Sequence, residues 1–267
     1  MDIFQDTVAT ESFAMRYFRF GHGEKTFVIL PGISVQSVTL SAEAVAEAYA
    51  GLAERCTVYV FDRRETLPDR YTVEDMADDT AEAMAALGLR GVYLFGASQG
   101  GMMALVIAIR HPELVGKLVL GSTSSHITDE QFAALSHWAE LARQGDRIGL
   151  YLDFGEKVYP PAVFSQWRDA LIAAAGTVTD AELERFVILA EGTRDFNVTD
   201  QLDRIQCPVL AIGSYEDAVL DADATMEIAE ILERHVDLRL YMYTGFWHAA
   251  FDTAPDYRKR ILEFLEL

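Results

Sequence analysis

The strongest chemical signal in the sequence is the segment 96–101, Gly-Ala-Ser-Gln-Gly-Gly, in which Ser98 stands between closely spaced glycines. The pattern Gly-x-Ser-x-Gly alone is weak evidence, because a glycine-rich turn produces it by chance. Here a β-rich run at 91–95 precedes it and an apolar helical pattern at 99–110 follows it. A tight turn from strand to helix exposes the serine hydroxyl beside a helix N-terminus, whose free N–H groups favour negative charge. The segment therefore predicts Ser98 as a nucleophile and the backbone N–H of Gln99 as an oxyanion donor.

A serine hydroxyl becomes a good nucleophile only when a base takes its proton, and His248 is the best-placed base in the sequence. It lies in the loop between the last predicted strand, 237–243, and the last predicted helix, 255–265. In a parallel sheet that loop emerges at the same edge as Ser98. The remaining histidines occupy turns, helix ends or the middle of the chain, where surface or capping roles are typical. The sequence therefore predicts His248 as the general base.

The histidine needs a carboxylate to orient it, and the chain offers two adjacent candidates. Glu216 and Asp217 both follow the predicted strand 208–212. We favour Asp217 and keep Glu216 as the alternative acid. An adjacent acidic pair is also typical of a solvated loop. One of the two is expected to be catalytically idle.

A second oxyanion donor is expected from the loop 30–36, which follows the predicted strand 26–30. Gly32 in that loop allows a close approach of the backbone, and the backbone N–H of Ile33 is the candidate donor. Removing one such donor typically costs about 3 kcal/mol of transition-state stabilisation.

The elements that must position these residues alternate at both ends of the chain. Further strands are predicted at 13–20, 57–62 and 117–120, and further helices at 41–54, 72–87 and 222–234. This alternation indicates crossover connections and a mostly parallel sheet. From about 122 to 199 the pattern is only helical. We therefore predict an α/β core domain of residues 1–121 and 200–267, with a helical cap, 122–199, over the edge where open sheets bind ligands.

Composition narrows the classes of partner and compartment. The chain has 267 residues and a formal net charge of −20, which makes nucleic acid and anionic membranes poor partners. The N-terminus lacks the pattern of a secretory signal, and Cys56 and Cys207 are the only two cysteines, with no metal or redox spacing. We expect a cytoplasmic protein that needs no cofactor or metal. The sequence leaves its oligomeric state open.

The chain resembles the α/β-hydrolase superfamily over nearly its full length, and in particular a small bacterial esterase-like branch with a helical cap. The matching landmarks are Pro31-Gly32, Phe61-Asp62-Arg63, the 96–101 segment, His111-Pro112-Glu113, Gly213 with Asp217, and Gly245 with His248. The order serine, acid, histidine along the chain is also that of the superfamily. The resemblance implies an eight-stranded core, a triad that cleaves esters or thioesters through an acyl-enzyme, and a helical cap.

The chain departs from the superfamily pattern at two places. Pro31-Gly32 replaces the His-Gly of most relatives at the oxyanion loop. After Arg63, relatives often carry a Gly-x-Gly-x-Ser turn that is missing here. Neither departure removes a catalytic group, but the resemblance implies no particular substrate.

The aromatic content of the predicted cap favours an apolar pocket, as ligand sites usually have. Trp138, Trp167 and Trp247 are our candidates for the pocket wall, although most cap aromatics are expected to pack the cap onto the core. The best hypothesis for the partner is a small-molecule acyl substrate, a carboxylic ester or thioester with a small or medium apolar group. Two alternatives stay open: the same triad used on a carbon–carbon bond or in a lyase, and a non-catalytic small-molecule binder.

Overall fold

An eight-stranded sheet runs through the computed structural model, which describes all 267 residues. The strands are β1 (Ile3–Ala9), β2 (Ala14–Gly21), β3 (Lys25–Leu30), β4 (Cys56–Arg64), β5 (Val92–Ala97), β6 (Val115–Gly121), β7 (Val209–Ser214) and β8 (Leu238–Tyr243). Their order across the sheet is β1-β2-β4-β3-β5-β6-β7-β8. The β1/β2 and β2/β4 pairs are antiparallel, and every other pair is parallel. The predicted α/β fold with a mostly parallel sheet is confirmed.

Helices cover both faces of the sheet and fill the interval between β6 and β7. They are α1 (Ala42–Ala48), α2 (Ala50–Ala53), α3 (Val73–Ala86), α4 (Gln99–Arg110), α5 (Asp129–Arg143), α6 (Arg147–Val158), α7 (Pro161–Ala175), α8 (Asp180–Glu191), α9 (Ala222–Leu232), α10 (Ala250–Thr253) and α11 (Tyr257–Leu265). Short 3-10 helices occur at Val38–Ser41, Pro112–Leu114 and Thr199–Arg204. None of these helices has the length and apolar character needed to cross a bilayer.

Strand β5 lies between β3 and β6, near the middle of the sheet. Leu94 belongs to the apolar core on one face, and Phe95 to the core on the other. Burial on both faces explains why this run is apolar without alternation. Because Leu30 of β3 pairs with Gly96 of β5, the loop after β3 and the turn after β5 leave the sheet side by side.

Strand β1 is absent from the sequence predictions. Only Val8 is buried among its residues, so the strand lacks the apolar alternation by which half-buried strands are recognised. Its pairing with β2 at the sheet edge, rather than its composition, makes it a strand.

Two predicted helices have different bounds in the structure. The helix predicted over 41–54 is divided at Tyr49, whose backbone (φ −102°, ψ 18°) interrupts it, and Ser41 makes no side-chain capping bond. The last helix begins at Tyr257, later than the predicted start at Pro255. Helix α3 is capped by Thr72, whose side chain accepts a hydrogen bond from the backbone N–H of Asp75.

The helices α5 to α8, here called the helical segment, leave and rejoin the core at one place. His126 and Asn197 form an isolated antiparallel bridge. Next to it, the backbone N–H of Val198 donates to the carbonyl of Ser125 over 2.8 Å. The two connections are therefore joined to each other at the carboxyl edge of the sheet, beside the end of β6.

Candidate active site

Ser98 occupies the turn between β5 and α4, at the carboxyl edge of the sheet. Its backbone has φ 52° and ψ −125°, in the left-handed region that a non-glycine residue rarely adopts. Such strain costs on the order of 1–3 kcal/mol and persists only where the surrounding structure enforces it. Here the backbone N–H of Ser98 donates to the carbonyl of Gly121 at 2.8 Å, and its carbonyl accepts from the Thr123 hydroxyl at 2.8 Å.

The glycines around Ser98 are required by close contacts between backbone atoms. A Cβ atom on Gly96 would lie 2.2 Å from the carbonyl oxygen of Gly100. A Cβ atom on Gly100 would lie 2.0 Å from the carbonyl oxygen of Leu30. Both distances are far below van der Waals contact, so neither position accepts a larger residue without moving a strand or a helix. The strand, the turn and the helix are thereby locked together with the serine at their junction.

His248 and Asp217 form a buried pair. The imidazole Nδ1 lies 2.8 Å from Asp217 Oδ2 and 2.9 Å from Oδ1, and the residues are 3% and 8% exposed. Asp217 Oδ1 also accepts the backbone N–H groups of Val219 and Leu220, at 2.9 and 3.0 Å. A carboxylate can only accept hydrogen bonds, so Nδ1 must carry the proton and Nε2 is free to act as a base.

Glu216 performs a different task from its neighbour Asp217. Its Oε2 accepts the backbone N–H of Gly245 at 2.7 Å and the Ser214 hydroxyl at 3.2 Å. It therefore fastens the loop that carries His248 to the end of β7 and does not contact the imidazole. On the other side of His248, the N–H of Ala249 donates to the carbonyl of Val158 at 3.0 Å, so α6 holds the loop as well.

The loop after β3 lies against Ser98, where the sequence places the second oxyanion donor. A Cβ atom on Gly32 would be 3.2 Å from Ser98 Cβ and 3.8 Å from Ser98 Oγ. Ile33 follows Gly32 and lines the same cavity as Ser98, as does Gln99 at the start of α4. The two candidate donors thus belong to two segments that meet at the serine.

A buried arginine, Arg63 at the end of β4, joins these two segments. Its Nη2 donates to the carbonyl of Pro31 and to Gln99 Oε1, both at 2.9 Å. Gln99 Nε2 in turn donates to the carbonyl of Leu189 in α8 at 2.8 Å. Burial lowers the pKa of Arg63 to about 10, and the adjacent Asp62 carboxylate opposes that shift. The arginine still holds its proton at neutral pH.

From the sequence alone, Arg63 is only a landmark of the family resemblance and Gln99 only a backbone donor. The available signal was a charged pair, Asp62 and Arg63, at the end of an apolar strand. Charged groups in such a place need partners, which here come from the oxyanion loop and from the helical segment. Asp62 accepts from the Ser37 hydroxyl at 2.5 Å and from Arg185 Nη2 of α8 at 2.8 Å.

One cavity of about 510 Å³ contains Ser98 and His248 in its wall. Its lining is mostly apolar and comes from both parts of the chain. The core contributes residues such as Ile33, Val60 and Phe95, and α5 and α6 contribute Leu135, Trp138, Leu150, Tyr151 and Phe154. The volume falls in the range of small-molecule sites. No group of three or more histidine, cysteine, aspartate or glutamate side chains is arranged to hold a metal ion.

The three tryptophans proposed for the pocket wall occupy different places. Trp138 lines the cavity, is 1% exposed and donates from Nε1 to Asp153 at 2.7 Å. Trp167 lies outside the cavity wall and is 40% exposed; its ring packs edge-on against Tyr159, which does line the cavity. Trp247 is also outside the wall. Its backbone has φ 53°, and in this turn the next residue, His248, is the one that lines the cavity.

Comparisons with known proteins identify the family and the fold. Residues 25–174 match the family model described as alpha/beta hydrolase fold. The putative carbamate hydrolase RutD of Caulobacter vibrioides (strain NA1000 / CB15N) is 40% identical over 238 residues, which are 80% of this chain and 82% of that protein. The crystal structure of MGS-M2, an alpha/beta hydrolase enzyme from a Medee basin deep-sea metagenome library, gives a TM-score of 0.86 at 18% identity over 98% of both chains. The enol-lactonase of Burkholderia xenovorans LB400 gives 0.83 at 17% identity over 98% of this chain and 100% of that one.

Proposed function

Because the chain belongs to the α/β hydrolase family, a family of enzymes, we propose that it is a serine hydrolase of small or medium apolar carboxylic esters or thioesters. Ser98 is the nucleophile, His248 the base and Asp217 the acid that orients it. The observation that carries the proposal is the buried Asp217–His248 pair, whose imidazole shares a cavity with a serine on a strained strand-to-helix turn.

The first half of the reaction forms an acyl-enzyme. Ser98 Oγ attacks the carbonyl carbon while its proton passes to His248 Nε2. Asp217 accepts the Nδ1–H bond throughout and stabilises the imidazolium that forms. The tetrahedral intermediate collapses, the alcohol or thiol leaves with the proton from Nε2, and the acyl group remains on Oγ.

The second half reverses these roles with water. His248 takes a proton from the water that attacks the acyl carbon, and it returns that proton to Oγ as the acid departs. In both halves the negative charge on the former carbonyl oxygen is stabilised by the backbone N–H groups of Ile33 and Gln99. Preorganised donors of this kind contribute on the order of 3 kcal/mol each.

The apolar cavity supports the substrate class. Residues from α5, α6 and α7 form part of its wall, which supports the assignment of residues 122–199 as a cap over the serine. Each buried methylene of a substrate gains about 0.8 kcal/mol until the cavity is full. A volume of about 510 Å³ favours short to medium acyl groups over long lipid chains.

A carbamate is a second candidate substrate, favoured by the name of the Caulobacter vibrioides relative. Ser98 can attack the carbonyl carbon of a carbamate in the same way as that of an ester. A carbamate differs from an ester in having a nitrogen atom on that carbon, on the leaving-group side or on the acyl side. Hydrolysis of a carbon–carbon bond or a lyase reaction would use the same triad on a substrate with an acidic carbon. No contact in the cavity favours that alternative.

The proposal is tested with a fluorophosphonate probe and a substrate panel. The probe should label Ser98 in the wild type and in Ser165→Ala, an exposed serine of α7 that serves as the matched control. Ser98→Ala should abolish labelling and lower kcat by about four orders of magnitude or more. The panel compares p-nitrophenyl esters, thioesters, carbamates and a β-diketone of equal acyl length. Labelling that persists in Ser98→Ala would contradict the assignment of the nucleophile.

A further inference from the structure

One carboxylate in the wall of the active-site cavity has no role in the triad. Asp252 lies in α10, four residues after His248, and it lines the cavity among apolar and aromatic side chains. Its side-chain oxygens accept no hydrogen bond from the protein. Arg258 donates from Nη1 to the main-chain carbonyl of Asp252 at 3.3 Å and makes no hydrogen bond to the carboxylate.

Asp252 has the accessible surface of an exposed residue, and its place in the cavity wall directs part of that surface into the cavity. Burial raises the pKa of this carboxyl, while the charges of Arg258 and His248 lower it. The carboxylate lines the cavity and no protein group donates a hydrogen bond to it, so a ligand that supplies a donor there is stabilised.

Arg258 does not take the place of such a ligand. Its guanidinium carbon lies 5.1 Å from the centre of the Tyr49 ring, in a cation–π arrangement. Its Nε is buried without a partner, and the residue is not part of the cavity wall. Arg258 therefore favours the ionised form of Asp252 without a hydrogen bond to its carboxylate and without forming part of the cavity wall.

We propose that Asp252 forms a cation subsite in the substrate pocket, which binds a protonated amine carried by the substrate. The carboxylate provides a charge-assisted acceptor for the N–H donors of an ammonium group. The ring of Tyr159, which lines the same cavity, provides an aromatic surface suited to a cation. The net charge of −20 adds a general attraction for cationic ligands.

This proposal rests on the proposed function only in taking the cavity ligand to be the substrate of Ser98. It narrows the substrate class to esters, thioesters or carbamates that bear an amine at a distance from the reacting carbonyl. A carboxylate-bearing substrate is disfavoured, since Asp252 would repel it.

The test compares two ligands of equal length, n-hexylammonium and n-hexanol, by calorimetry on the Ser98→Ala protein at constant pH and ionic strength. The Ser98→Ala protein allows binding to be measured without turnover. Because neither ligand has a scissile bond, the result does not depend on which side of that bond carries the amine in a substrate. A charge-assisted hydrogen bond in the cavity predicts that hexylammonium binds about tenfold or more tightly than hexanol. With Asp252→Asn added, the preference should disappear. With Asp252→Leu added, it should reverse in favour of hexanol.

The matched control is Asp203→Asn, which removes an equal charge from an exposed position outside the cavity and should leave the preference unchanged. Equal binding of the two ligands to the Ser98→Ala protein, including no measurable binding of either, would overturn the proposal. So would a preference that survives Asp252→Asn. If the preference follows Asp252 but no ester, thioester or carbamate is cleaved by the wild type, the cation subsite stands and the hydrolase assignment fails.

Discussion

The turn at Ser98 and the helical segment build opposite walls of one cavity, and they do so by different means. At the turn, positions are set by backbone atoms in contact: a Cβ atom on Gly96 or Gly100 would lie 2.2 or 2.0 Å from a carbonyl oxygen. In the helical segment, the wall consists of side chains such as Trp138 and Phe154, whose rings pack 4.7 Å apart between centres. The first wall tolerates no change of size, whereas the second can change its shape with its side chains.

Because of this difference, we expect the first wall to determine catalysis and the second wall to determine which substrate is preferred. The proposed nucleophile, the proposed orienting pair and the loop after β3 all follow strand ends, so the sheet register fixes their positions. The pocket wall depends on which face each helix of the segment turns inward. Substitutions at the first wall should therefore change kcat or folding, and substitutions at the second should change which substrate is preferred.

The largest effect on catalysis short of removing the nucleophile is expected at Asp217. Asp217→Asn removes the acceptor of the Nδ1 proton and can stabilise the wrong imidazole tautomer, so kcat should fall by about three to four orders of magnitude. The matched control is Glu216→Gln, whose amide oxygen can still accept the N–H of Gly245. That variant should keep kcat within about tenfold of wild type. Steady-state kinetics on a p-nitrophenyl ester measure both, and a reversed order would make Glu216 the orienting acid.

The next largest effect is expected on the stability of the fold, at the backbone contacts that hold the turn at Ser98. Gly96→Ala forces a Cβ atom against the carbonyl of Gly100 and should destabilise the fold by about 3 kcal/mol or more, as severe overpacking does. The control is Gly88→Ala at the end of α3, where φ is +71° but no atom lies within 4 Å of the added Cβ. Backbone strain alone should cost about 1 kcal/mol there. Urea unfolding monitored by circular dichroism distinguishes the two, and equal losses would show that steric contact is not what fixes the turn.

The contrast between backbone contacts at the Ser98 turn and side-chain packing in the helical segment also explains how much could be predicted from the sequence. Ser98, His248 and the acidic pair could be located because glycine spacing and strand ends leave a pattern in the chain itself. The sequence favours Asp217 but keeps Glu216 as an alternative, because the choice depends on which of two adjacent side chains turns toward the histidine loop.

The pocket was harder to predict for a related reason. An aromatic residue in a helical pattern is compatible with a cavity wall, with the core or with solvent, and Trp138 and Trp167 differ only through helix orientation. Strand β1 was missed because an exposed edge strand has no apolar alternation. Asp252 and Arg63 were missed because a charged side chain is usually a surface group, and only the packed fold shows that Arg63 is buried and that Asp252 lines the cavity.

A smaller effect on catalysis is expected at Arg63, which joins the loop after β3 to Gln99 at the start of α4 and is not part of the cavity wall. Arg63→Met leaves the Pro31 carbonyl and the Gln99 amide without their donor, so the oxyanion loop should lose its fixed position. We expect kcat to fall about tenfold, below the full cost of losing an oxyanion donor, with KM for a neutral ester little changed. The control is Arg64→Met, the next residue, which is partly exposed and pairs with Asp79 at 3.4 Å. Arg64→Met should leave kcat unchanged at temperatures well below unfolding. An equal fall of kcat in both variants would show that Arg63 contributes only to general stability.

The smallest effect on turnover is expected for substitutions of the cap tryptophans. A comparison of Trp138→Ala with Trp167→Ala is the most direct test of the second wall. Trp138 is buried in the cavity wall, so its loss should enlarge the pocket and move the optimum acyl length of p-nitrophenyl esters toward longer chains. Each extra methylene accommodated should gain up to about 0.8 kcal/mol in kcat/KM, and the free energy of unfolding should fall by about 3–5 kcal/mol. Trp167 is 40% exposed and reaches the cavity only through Tyr159, so its loss should cost about 1 kcal/mol of stability and leave the optimum in place. If both variants shift the optimum equally, the pocket is bounded by the packing of the helical segment as a whole and not by the side chains that face it.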